Sequence, residues 1–257
     1  MDKTNIEKLL ETMKILRSDK GCSWDRAQTH QTIRQNMLEE AYEAVDAIDD
    51  NDIKHLKEEL GDVLLQVVLH SQIAADNNEF TFEDVAEEIN KKLIHRHPHV
   101  FSDVKVNGVN EILDNWEKLK KEEKPHRKSC LDGISKAQSA LMTAQKLSKK
   151  AVKAGFEWIK EEDVIDCVNS EIKEFIEAKT KDEMELEFGD ILFALVNLAR
   201  WRGLDAEQCL IRANKKFEKR FRKMEEIAHN NNITLETLTV EEWDKLWRTA
   251  KNETCNC

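Results

Sequence analysis

Two acidic signatures recur in the same order in both halves of the chain, and no other feature constrains the fold as tightly. The first half carries Glu40-Ala-Tyr-Glu43 and then Glu59-Leu-Gly-Asp62. The second carries Glu171-Ile-Lys-Glu174 and then Glu187-Phe-Gly-Asp190. Both Glu-x-Gly-Asp motifs run into apolar segments, VLLQVVLH and ILFALVNLA. Asn90-Lys91-Lys92 with Arg96 follows in the first half, and Asn214-Lys215-Lys216 with Arg220 in the second. Trp116-Glu-Lys-Leu and Trp243-Asp-Lys-Leu come last. Four matching blocks in one order describe two homologous units, at 1–123 and 135–257. The segment between them, 124–134, has the charge, proline and glycine of a linker.

Each unit reads as helical. The chain has 7 glycines and 2 prolines in 257 residues, where average usage would give roughly 30 together. A sheet protein needs turn formers every few residues, so this scarcity argues against sandwiches, barrels and doubly wound folds. In 29–50 the apolar positions Ile33, Met37, Leu38, Ala41, Ala44, Val45 and Ile48 form a helix-period stripe. Further helices are expected at 52–76, 82–96 and 109–123, then at 161–180, 182–202, 205–229 and 239–251, with leading helices at 3–17 and 135–153. Short connections imply antiparallel neighbours. The expectation is an all-α chain of two tandem helical bundles.

The net charge of −11 disfavours a partner of nucleic-acid polymer type, because phosphate backbones need a basic face. The first twenty residues are charged throughout and lack a signal-peptide core. No stretch has the ~18 apolar residues of a membrane span, so no membrane partner is expected. The six cysteines include no CxxC pair and read as reduced thiols of a cytoplasmic protein, Cys255 and Cys257 as an exposed tail.

The acids carry the chemistry. Residues three apart share a helix face, so Glu40 with Glu43, Glu59 with Asp62, and their second-half partners form pairs. Asp62 and Asp190 each open an apolar run, which aims them toward the packed side. Two antiparallel helices presenting such pairs inward would gather four carboxylates, whose mutual repulsion a divalent cation relieves. An all-oxygen donor set selects Mg²⁺, with Mn²⁺ as a substitute, over Zn²⁺. A di-iron bundle uses Glu-x-x-His pairs, and no histidine lies three after these glutamates. Gly61 and Gly189, inside expected helices, suggest close helix approach or access for a ligand.

Lys92 with Arg96, and Lys216 with Arg220, lie four apart on one helix face and suit phosphate oxygens. Trp243 and Trp247 suit either a core or stacking on a base. His95-Arg-His97-Pro-His99 offers imidazoles, but its proline favours an extended stretch over a metal cluster.

These blocks resemble the MazG family of nucleoside triphosphate pyrophosphohydrolases in its two-repeat bacterial form. The resemblance covers nearly the whole chain. It rests on GCSWDRAQTH at 21–30, LEEAYEAVDAI at 38–48, EELGD at 58–62 and RHPHVF at 96–101, then on EFGDILFALVNLAR at 187–200 and ANKKFEKRFR at 213–222. It implies an all-α homodimer that binds Mg²⁺ through a Glu-Glu-x-x-Glu helix and a Glu-x-x-Asp helix, and hydrolyses nucleoside triphosphates of broad base type to monophosphate and pyrophosphate. Carried over by position, Glu171, Glu174, Glu187 and Asp190 are the implied metal and catalytic residues of the second unit, which the resemblance makes the main active one. Lys216, Arg220, Trp247 and Lys251 are implied to touch the nucleotide. Glu40, Glu43, Glu59 and Asp62 form the matching set in the first unit, with Lys92 and Arg96 as its phosphate candidates. Ser170 departs from the pattern, standing where the motif has its leading Glu; the first unit keeps Glu39.

Two rivals remain at this level. One is a regulatory module that binds nucleotide or a partner without catalysis, and release of pyrophosphate discriminates against it. The other is a plain helical scaffold, which leaves eight acids in matched positions unexplained. For an enzyme, nucleotide-pool cleaning and a stress-linked role are both open.

Overall fold

The computed structural model describes residues 3–123 and 128–254. They are all-α, with no strand among the described residues. The chain divides into two compact units, Met1–Lys124 and Pro125–Cys257. Within the expected linker, residues 124–127 lie outside the described residues, as do Cys255 and Cys257. Cys22, Cys130, Cys167 and Cys209 are free thiols. No helix among the described residues is long and apolar enough to cross a membrane.

The first unit contains α1 (Asn5–Leu16), α2 (Ser23–Ala27), α3 (Asn36–Asp49), α4 (Ile53–Asp76), α5 (Phe82–Arg96), α6 (Pro98–Phe101) and α7 (Val109–Glu122). Its starts are set by local chemistry. Thr4 and Thr81 close capping boxes with Glu7 and Asp84, and Asp52 accepts from the amides of Lys54 and His55. Helix α3 begins at Asn36, seven residues later than the periodicity predicts. Residues His30 to Gln35 form turns instead, because the Thr29 and Thr32 side chains bond each other's backbone amides. After α5 the chain is not extended: Pro98 sits at the first position of α6, where its missing N–H costs nothing. Helix α4 packs on α3, α1 and α5. Its core is Met13, Ile33, Val68, Leu69 and Ile73, and such fully buried side chains contribute about 1.5–3 kcal/mol each.

The second unit contains α8 (Ala140–Lys153), α9 (Glu161–Glu177), α10 (Lys181–Trp201), α11 (Ala206–Asn230), a 3₁₀ turn (Leu235–Thr237) and α12 (Val240–Thr254). Thr180 forms a capping box with Glu183, and Ser139 caps α8 four residues beyond the predicted start. Helix α10 packs on α9 and α8, and α11 on α12. The α11–α12 core is Met224, Ala228, Leu246 and Ala250, with Trp243 and Trp247 packed against it. In both units the central helices leave large apolar side chains outside, including Leu38, Val45 and Ile48 on α3 and Ile172, Ile176, Leu186 and Phe188 on α9 and α10.

Candidate active site

The short α3–α4 and α9–α10 connections turn the acid-bearing helices back on each other, which brings carboxylates from two helices together. Oxygen atoms of Glu40, Glu43 and Glu59 lie within 4.8 Å of one another, as do those of Glu171, Glu187 and Asp190. Each unit thus gathers three of its four sequence-predicted acids. Asp62 is outside the first group and Glu174 outside the second.

In the first unit Glu59 is the buried member, 6% exposed, and its Oε2 has no hydrogen-bond partner among the described residues. Burial, with Glu43 next to it, holds the Glu59 carboxyl above the usual range, against the opposing pull of His55. His55 Nε2 lies 2.8 Å from Glu59 Oε1, and Gln66 Nε2 donates to Glu40 Oε1 at 3.2 Å. Neither neighbour emerged from the sequence reading. His55 was visible in principle, four residues before Glu59; Gln66 reaches Glu40 only through the α3–α4 packing.

In the second unit burial and then the charges of Glu174, Asp190 and Glu171 raise the Glu187 carboxyl. Ser170 donates to Glu174 Oε1 at 3.0 Å. The Cys167 thiol lies 3.8 Å from Glu171 Oε1, and burial, then Glu171, pushes its pKa up. An inert thiol follows rather than a nucleophile. One expectation needs correction: Asp190 is exposed rather than packed inward. Helix α10 is apolar on more sides than its own unit covers, so the face holding Asp190 stays open. The glycines correct another. A Cβ on Gly61 or Gly189 would meet nothing within 4 Å, so no close helix approach within the unit requires them.

A buried carboxylate oxygen without a partner, inside a group of three acids, is the arrangement a hard cation satisfies. The first group therefore fits Mg²⁺ or Mn²⁺, and the second offers the same all-carboxylate donor set in a more open setting. The histidines after α5 do not form such a group. His97 Nδ1 lies 2.6 Å from the Leu93 carbonyl oxygen, and its ring meets the Trp116 edge-on with centroids 4.9 Å apart.

The basic and aromatic residues sit on the later helices. The Arg220 guanidinium lies over the Trp247 ring, 5.8 Å from its centroid, and Phe217 tilts against Trp247 at 5.6 Å. An open hollow of about 270 Å³ is lined by Phe217, Phe221, Met224, Trp243, Asp244 and Trp247. Phe217 lies inside the 213–222 motif, next to Lys216, but the sequence gives it no role. Lys216 and Lys251 are exposed. Lys92 lies 3.8 Å from Glu88. Arg96, over Trp116 at 5.4 Å, is held by Glu123.

Comparison with known proteins agrees with this architecture. The MazG nucleotide pyrophosphohydrolase domain matches twice, at residues 28–101 and 159–224. A Thermotoga maritima protein named nucleoside triphosphate pyrophosphohydrolase/pyrophosphatase MazG is 44% identical over 247 residues, covering 96% of this chain and 95% of that protein. The Escherichia coli nucleoside triphosphate pyrophosphohydrolase is 41% identical over 256 residues, covering 96% and 97%. Two acid clusters on two matched helix pairs and two domain matches lead to one conclusion: the chain belongs to the MazG nucleotide pyrophosphohydrolase family, with the domain present twice.

Proposed function

We propose that the chain hydrolyses nucleoside triphosphates, ribo and deoxy alike, to nucleoside monophosphate and pyrophosphate, and that the second unit does so as part of a homodimer. The observation that carries this reading is the convergence of Glu171, Glu187 and Asp190 on a unit that also carries the Arg220–Trp247 pair. The names of the relatives support the reaction. The exposed apolar side chains on the acid-bearing helices, Ile176 and Leu186 among them, support a second copy covering those helices.

Glu171, Glu187 and Asp190 would hold Mg²⁺, or Mn²⁺ in its place. When bound, the cation supplies the positive charge that lets a triphosphate approach an acidic cluster. Glu174, fixed by Ser170 outside the three-acid group, takes a proton from the attacking water. The water oxygen bonds to the α-phosphorus as the bond to the α,β-bridging oxygen breaks. Its electron pair leaves with pyrophosphate. Lys216 and Arg220 donate to phosphate oxygens, Lys251 adds charge, and Trp247 offers a face to the base.

Glu174→Ala and Asp190→Ala should each abolish pyrophosphate release from a mixed nucleoside triphosphate pool while leaving the helical circular dichroism spectrum intact. Full turnover in both variants would overturn the assignment. Glu43→Ala and Asp62→Ala test the first unit in the same way. Nucleotide binding by the wild type without pyrophosphate release would favour a non-catalytic regulatory module.

A further inference from the structure

In the first unit, the basic set that the repeat matches to the phosphate-directed set of the second unit already holds a carboxylate. Arg96 Nε donates to Glu123 Oε1 at 3.0 Å, and Nη2 donates to Oε2. The Arg96 side chain is 10% exposed and packs over Trp116. His95 Nε2 lies 4.0 Å from the same carboxylate. The hydrogen bond from Arg96, then the charges of Arg96, His95 and Lys92, hold the Glu123 carboxyl below the usual range, so it is ionised at neutral pH. Glu117 adds to the negative field around Arg96. A two-oxygen anion on a guanidinium fork is the geometry in which arginine also binds phosphate.

In the repeat, the position that matches Glu123 carries no acid. Asn90-Lys91-Lys92-Leu-Ile-His95-Arg96 matches Asn214-Lys215-Lys216-Phe-Glu-Lys219-Arg220. Glu123 follows Trp116 by seven residues; seven residues after Trp243 stands Ala250, buried in the α11–α12 core and carrying no charge.

We propose that Glu123 is an internal phosphate mimic: it occupies Arg96 and closes the first unit's basic set to a triphosphate. This rests on the reading above, in which Lys216 and Arg220 contact phosphates. A triphosphate must displace Glu123 before it reaches Arg96, and the displaced carboxylate then repels it.

The test is calorimetric binding of an α,β-methylene ATP analogue with Mg²⁺ to the full chain, in a Lys216→Ala/Arg220→Ala background that silences the second unit. Glu123→Gln and Glu123→Ala should each tighten binding by about tenfold. Adding Arg96→Ala should return the affinity to that of the background, which a merely structural role of Glu123 would not do. Folding is checked by thermal melts. If both neutral variants unfold, Glu123→Asp decides, because its shorter carboxylate loosens the fork and should give a gain of about threefold. Folded variants that stay within about twofold of the background overturn the proposal. The readout is binding, so it remains decisive if the wild type releases no pyrophosphate and the catalytic reading fails.

Discussion

Ser170 donates its hydroxyl to Glu174 at 3.0 Å, and Glu174 is the acid of the second unit that stays outside the three-carboxylate group. The hydroxyl stands where the first unit has Glu39, so an added charge is replaced by a neutral donor. Ser170→Ala should therefore release Glu174 toward the cluster. Mn²⁺ titration of the nucleotide-free protein should show affinity raised by about threefold, while turnover falls because the proton acceptor is lost to the cation. Ser170→Ala/Glu174→Ala should cancel the gain in affinity. Unchanged affinity in Ser170→Ala would remove the hydroxyl from the account.

A second carboxylate works through structure alone. Glu157 accepts from Arg200 Nη1 at 2.6 Å and from Nη2 at 2.8 Å, tying the α8–α9 connection to the last turn of α10. The Arg200 side chain is 9% exposed, so removing its partner strands a nearly buried cation. Glu157→Gln should cost about 1–3 kcal/mol at neutral pH. The Arg200 hydrogen bond lowers the Glu157 pKa from its ordinary value of 4.5. A carboxyl depressed in the folded state stabilises fully above its unfolded value and loses that contribution as pH falls through the folded one. The gap between wild type and Glu157→Gln in urea melts should thus persist from neutral pH down to about 4.5 and narrow only below it.

How much of this was legible beforehand depended on which force set each feature. Helix positions followed from apolar periodicity, which is why α4 and α5 fall where the pattern puts them. The start of α3 did not, because two threonine side chains compete locally for the backbone and periodicity is blind to them. The acid pairs were readable from three-residue spacing. Which three of four acids converge was not, because that is set by the packing of α3 on α4 and of α9 on α10. Glu123 illustrates the largest gap. Its distance from Arg96 in sequence is 27 residues, and only the packing of α7 on α5 joins them.

Packing between elements also explains a buried amide whose role no motif marks. Gln145 donates to the Leu204 carbonyl at 2.8 Å and accepts from the Ala206 amide at 2.8 Å. One side chain thereby satisfies both backbone groups of the tight α10–α11 turn from α8. Gln145→Leu keeps the volume but orphans the buried Ala206 N–H, at about 1–3 kcal/mol, and leaves the part-buried Leu204 C=O to water. The expected result is a clear loss in chemical-denaturation midpoint. Gln145→Glu should be tolerated less well than the amide, since a carboxylate cannot donate to Leu204. A midpoint unchanged in Gln145→Leu would show that water takes over both bonds.

The open face of α9 and α10 makes the last prediction. Ile176 is 73% exposed and Leu186 68%, on the two helices that carry the acid group. Neither contributes much to the core of its own unit, so Ile176→Glu and Leu186→Glu should leave the melting temperature of an isolated subunit nearly unchanged. A second copy covering this face would instead have to bury the new charges, at several kcal/mol each if they stay unpaired. The two variants should therefore be monomeric by light scattering at concentrations where the wild type is dimeric. Activity should fall with the dimer, because the face that exposes Asp190 then stays open to water and the cluster loses the low-dielectric wall that strengthens its grip on a cation. A wild type that scatters as a monomer, or variants that remain dimeric, would assign these side chains to some other use.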